Sequence, residues 1–160
     1  MKTRNIIIII NLFLVLGFVN WSAAQKEEIL TNGKLVLLEL APVDPRSLMQ
    51  GDYMRLNYAV TRDIVASKIP KRGYCVIKLD ERNIARKVRL QKGKTPLKAG
   101  EYLINYTTDD WSVNLGAESY FFEEGQGKKF ENAKYGAIKI DDGRSLLIGL
   151  YDENLNFIKP

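Results

Sequence analysis

Two hydrophobic patterns divide the chain, one continuous and one alternating. After Met1-Lys2-Thr3-Arg4-Asn5, the apolar run from Ile6 to Val19 is interrupted only by Asn11 and Gly17, and Asn20-Trp21-Ser22-Ala23-Ala24-Gln25 closes it. Ile6 to Ala24 spans about 19 residues, or ~28 Å of helix, close to the hydrocarbon thickness of a bilayer. A basic start, an apolar centre and small residues at Ser22 and Ala24 equally fit a secretory leader cut after Ala24. Two readings of residues 1–24 therefore stand, a signal peptide and an N-terminal membrane anchor. In both, Lys2 and Arg4 hold the N-terminus inside and the remainder is extracytoplasmic. No cysteine closes the run, so a lipid-modified anchor is excluded.

Beyond a polar linker at 25–33 the pattern changes to short runs of period two separated by turn residues. Lys34 to Leu40 is apolar nearly throughout, which predicts a strand covered on both faces. Asp52 to Thr61 alternates and predicts a second strand. Gly73 to Asp80 and Asn83 to Leu90 are predicted to form a hairpin across Asp80-Glu81-Arg82-Asn83. Glu101 to Tyr106, Trp111 to Gly116 and Tyr120 to Phe122 follow as further strands. Tyr135 to Ile140 and Arg144 to Leu150 flank Asp141-Asp142-Gly143, where glycine suits a positive φ. Helical signal is confined to Glu123 to Ala133, which is short and carries Gly125 and Gly127. Arg62 to Arg72 and Gln91 to Gly100 are loops, and Asp152 to Pro160 is a polar tail with Phe157 and Ile158 folded back. Seven to eight antiparallel strands with one short helix predict an all-β barrel or sandwich, a single domain over 34–160.

Composition narrows the chemistry. The 160 residues contain no histidine and one cysteine, which removes histidine-based triads, His/Cys zinc sites and an internal disulfide. Cys75, within Tyr74-Cys75-Val76-Ile77, is expected to be a buried small hydrophobe. The net charge is +5, and Lys2 and Arg4 belong to the leader. The remaining basic residues are scattered, so no nucleic-acid footprint is expected. No cofactor or metal is expected either. Asp109, Asp110, Glu118, Glu123 and Glu124 follow no calcium-loop pattern, and nothing singles out Glu118 and Glu124 as a glycosidase pair. The rings of Trp111, Tyr120, Phe121 and Phe122 are expected to pack into the core.

One stretch stands apart. Pro42-Val43-Asp44-Pro45-Arg46 and Leu48-Met49-Gln50-Gly51-Asp52 make a stiff turn, and Tyr53-Met54-Arg55-Leu56-Asn57-Tyr58 places Tyr53 and Tyr58 on opposite strand faces, one of them in the core. Arg46 is placed to fork onto the carboxylate of Asp44 or Asp52, clasping the turn, or else to face outward with Arg55 toward a carboxylate, a phosphate or a partner loop. The turn resembles the signal peptidase pattern Ser-Met-x-Pro-x-Leu-x-x-Gly-Asp. Aligned on Leu48 and Gly51-Asp52, its nucleophile position falls on Val43, which has nothing to attack with, and Ser47 lies four residues too late.

Gly51-Asp52-Tyr53-x-x-Leu56-x-Tyr58 resembles the signature of the bacterial GDYXXLXY family. Leu38 to Arg46, Gly116-Ala117-Glu118-Ser119-Tyr120-Phe121 with Glu123-Glu124-Gly125, and Ile138 to Arg144 resemble further blocks of that family. The resemblance implies a membrane-anchored extracytoplasmic domain associated with an integral membrane protein, and it supplies no catalytic residues. With no placed nucleophile, a noncatalytic interaction or accessory module is expected, with Asp44, Pro45, Arg46, Gly51, Asp52, Tyr53, Arg55, Leu56, Tyr58, Glu118 and Tyr120 as candidate contacts. The alternative is a small envelope ligand-binding protein or hydrolase whose pocket lies near Gly51-Asp52-Tyr53.

Overall fold

The computed structural model describes residues 3–41, 53–109 and 111–159. Helix α1 runs unbroken from Thr3 to Asn32. The segment 25–33, expected as a linker, is thus mostly helix. Gln25-Lys26-Glu27-Glu28 are good helix formers, and Ile29 gives their turn an apolar anchor, only 5% exposed. Gly33 ends the helix by donating its N–H to the Ile29 carbonyl at 2.9 Å. A Cβ on Gly33 would overlap that carbonyl, so only glycine lets the chain pass directly from helix to strand.

Ten strands follow among the described residues. β1 (Lys34–Glu39), β8 (Tyr135–Asp141), β9 (Arg144–Tyr151) and β10 (Phe157–Ile158) form one sheet in the order β1-β8-β9-β10. β3 (Arg72–Leu79), β4 (Ala85–Gln91), β5 (Glu101–Thr108) and β6 (Val113–Asn114) form a second in the order β4-β3-β5-β6. β2 (Tyr53–Arg55) and β7 (Ser119–Phe121) pair with each other. Every one of these pairings is antiparallel. The sheets curl toward one another through bridges at Leu37 with Ile84, Leu40 with Tyr58, and Ile104 with Gly143. Irregularities between Val76 and Ile77 and between Ala137 and Ile138 bend two of the long strands, as bulges do.

The core is written in period two. Val36 and Leu38, Met54, Leu56 and Tyr58, Cys75 and Ile77, Ile104 and Tyr106, and Ile138 and Ile140 all point into one cluster. Leu37 faces the other way and packs with Ile84 and Ala137 in a smaller cluster. The near-continuous apolar run of β1 is explained by this: successive residues fill two different cores. Cys75 is buried as expected, and burial raises its thiol pKa to about 11.

Both predicted hairpins form. Asp80 closes the first by accepting the N–H groups of Arg82 and Ile84, each at 2.9 Å, and Gly143 takes φ 89° in the second. Other expectations are corrected. β2 stops at Arg55, and a 3-10 turn at Ala59–Thr61 follows Tyr58. The helix expected over Glu123 to Ala133 shrinks to one turn, α2 (Gly127–Phe130), because Gly125 breaks the chain at φ 80°. The strand expected from Trp111 contracts to β6. Phe157 and Ile158 do fold back, as β10, after an Asp152-capped turn.

Candidate interaction surface

The signature stretch is a fold-maker on one face and a display on the other. Leu56 and Tyr58 are buried to 1% and 2% exposure, Tyr53 is half-buried, and Arg55 is exposed. Tyr58 is the core tyrosine of the pair. Its ring lies against Gly136, where an added Cβ would come within 2.9 Å of it. Its hydroxyl donates to the Ala117 carbonyl. Burial, reinforced by the negative charge of Glu118, pushes its pKa well above the usual phenol range, so the hydroxyl remains a donor.

That hydroxyl meets a turn organised by Glu118. One carboxylate oxygen accepts the Leu115 N–H, and the other accepts those of Gly116 and Ala117 at 3.0 Å each. Gly116 supplies the positive φ of 81° that brings these three donors onto one carboxylate. The Glu118 carbonyl in turn accepts the Leu56 N–H at 2.8 Å. Signature and turn are thus laced together by main-chain and side-chain bonds. Both oxygens of Glu118 are engaged in building the turn, which gives this side chain a structural role.

Tyr120 points inward, edge-on to Phe130 with ring centroids 5.1 Å apart, and Phe122 packs on the same ring at 5.3 Å. Phe121, between them, points out and is 73% exposed, and Trp111 is 94% exposed at the tip of the β5–β6 turn. The expectation that all four rings belong to the core is therefore corrected for these two. Period two alone contains the signal for Phe121, since its neighbours are both core rings. Trp111 stands out because Asp109 turns the chain there, accepting its N–H and that of Ser112, bonds that hold the Asp109 carboxyl down to about 2.

Tyr53 lies beside Phe121 across the β2–β7 pair, ring centroids 5.7 Å apart. With Arg55 exposed on the same short strand, they form a surface of two rings and one cation. Asp44, Pro45, Arg46, Gly51 and Asp52, and with them the proposed clasp and the signal-peptidase-like alignment, lie outside the described residues. Among the described residues, no three His, Cys, Asp or Glu side chains are grouped to hold a metal ion.

A family model described as GDYXXLXY protein matches residues 15–150, most of the chain. The chain belongs to the GDYXXLXY family. The match begins inside α1 and ends in β9, so the family unit includes the end of the apolar helix as well as the β domain. The family's signature leucine and second tyrosine, Leu56 and Tyr58 here, both reach the core. No curated protein and no solved structure matches the chain.

Proposed function

We propose that the protein is a noncatalytic accessory module, an extracytoplasmic β domain carried on an uncleaved N-terminal anchor, that engages an integral membrane protein through Tyr53, Arg55 and Phe121. The observation that carries the reading is the continuity of α1. The helix is long and apolar enough to cross a membrane. It passes through Ser22-Ala23-Ala24 without a break and ends docked on the β domain. There Arg144 pairs with Glu28 at 3.5 Å and donates to Gln25 at 3.4 Å, while Lys139 donates to the Thr31 carbonyl at 3.5 Å. Anchor and domain are built as one piece. Tethering confines the domain to two dimensions beside membrane partners, so a small surface of two rings and a cation suffices for engagement.

Site-specific photo-crosslinking in membranes tests this. A photoreactive residue at Phe121 is expected to yield one discrete adduct with a polytopic membrane protein, and the same residue at Glu153, at the far end of β9, none. Equal labelling from both positions, or none from Phe121 in folded protein, contradicts the reading.

A further inference from the structure

The docking of α1 fixes which end of the β domain faces the bilayer. Ala24 closes the apolar run, so Gln25 stands at the edge of the hydrocarbon layer and Glu28 ~4.5 Å beyond it. The polar headgroup layer is about 5–8 Å deep on each side. Arg144, bonded to both residues, therefore lies at headgroup depth, and the turn Asp141-Asp142-Gly143 comes with it.

A second loop is fastened to that turn. Gln91-Lys92-Gly93-Lys94-Thr95-Pro96-Leu97-Lys98-Ala99-Gly100 joins β4 to β5, and all of 92–100 is exposed. Lys94 is ion-paired with Asp142. Leu97, 45% exposed, shares a cleft of about 300 Å³ with Asn32 and Lys34 at the end of the helix. At its other side the loop is pinned by Arg89, which donates to the Pro96 carbonyl and to Glu101, both at 2.8 Å. The acids of this end are already engaged: Asp142 by Lys94, Asp141 and Glu28 by Arg144, and Glu101 by Arg89. Glu27 offsets its neighbour Lys26 on the helix. Lys92 and Lys98 make no ion pair among the described residues.

We propose that the loop 91–100 is a membrane-surface contact: Lys92 and Lys98, which make no ion pair among the described residues, bind the headgroups of anionic phospholipids, and Lys94, paired with Asp142, fastens the loop to the turn. This rests on the anchored reading of α1. The chemistry is that of other juxtamembrane basic segments, where lysines held within a Debye length of an anionic surface add their attractions. Here the loop needs no folding on contact, because α1 and the 141–144 turn already hold it at that depth.

The test uses the full chain in vesicles. Leu97→Cys carries an environment-sensitive dye, since the native Cys75 is buried, and headgroup-labelled nitroxide lipids serve as quencher. Quenching is expected to be at least twofold stronger in phosphatidylcholine–phosphatidylglycerol vesicles than in phosphatidylcholine alone. That excess is expected to vanish at high salt and in the K92Q/K98Q variant, while a dye at Glu153→Cys shows no quenching in any of them. Equal quenching in the two vesicle types, or an excess that survives removal of the two charges, overturns the lipid contact. A separate dye at Gly17→Cys reports on the anchor through acyl-chain nitroxides. Its failure to be quenched would overturn the anchored reading itself, and this inference with it.

Discussion

At the scale of single residues, the side chains that matter most are those whose partners are fixed. Leu56 is buried in the main core, and Leu56→Ala is expected to cost about 2–5 kcal/mol, seen as a lower midpoint in denaturant unfolding of the full chain in detergent. Tyr58→Phe keeps the ring and removes only the donor to Ala117, leaving a carbonyl without its partner, and a loss of about 1–2 kcal/mol is expected by the same measurement. Glu101 is the buried charge among the described residues, and its bond to Arg89, helped by the Lys98 N–H, holds its carboxyl down to about 2. Because the folded value lies below the ordinary 4.5, this stabilisation is full above pH ~4.5 and is lost as the pH falls toward 2. Thermal unfolding across that window is expected to show Tm falling steeply in the native chain. In Arg89→Met, Tm is expected to be lower at neutral pH and to fall less in acid. The assignment of Tyr53 and Tyr58 to opposite faces was legible, since period two requires it. The exposure of Trp111 was not, because a turn residue carries no period, and an aromatic ring in sequence reads as core.

Among the elements, legibility followed locality. The hairpins at 80–83 and 141–143 are set by short-range turn chemistry, and both appear where Asp80 and Gly143 predict them. Segments whose ends depend on distant partners were misjudged. Asp52 to Thr61 alternates beyond Arg55, yet the ladder with β7 ends there because Arg55 already lies opposite Ser119, the first residue of β7, and Glu118 before it belongs to the turn it organises. Gln25 to Asn32 reads as a linker until Ile29 and the contacts with Arg144 and Lys139 show what holds it helical. Gly33 is the critical position of this junction. Gly33→Ala is expected to disturb the docking of the last two turns of α1, raising amide hydrogen exchange at 25–32 while leaving β3 and β5 protected. Unchanged exchange at 25–32 would show that the junction tolerates a side chain.

For the whole molecule, the order of strands was the least legible feature. β1 pairs with β8, Val36 opposite Ile138, about a hundred residues away, and nothing in either run selects the other. That long-range pairing places the β8–β9 turn beside the helix, and so makes one body of an apolar helix and a β domain. The family match, starting within α1, includes part of this helix in the shared unit. The same arrangement leaves Tyr53, Arg55 and Phe121 displayed and fastens the 91–100 loop to the turn beside the helix. The choice between leader and anchor is therefore the point on which the account turns. The most direct test is the intact mass of the full-length protein recovered from membranes of cells that express it. The anchored account predicts a single species that retains residues 1–24, whereas a chain beginning at Gln25 would contradict it.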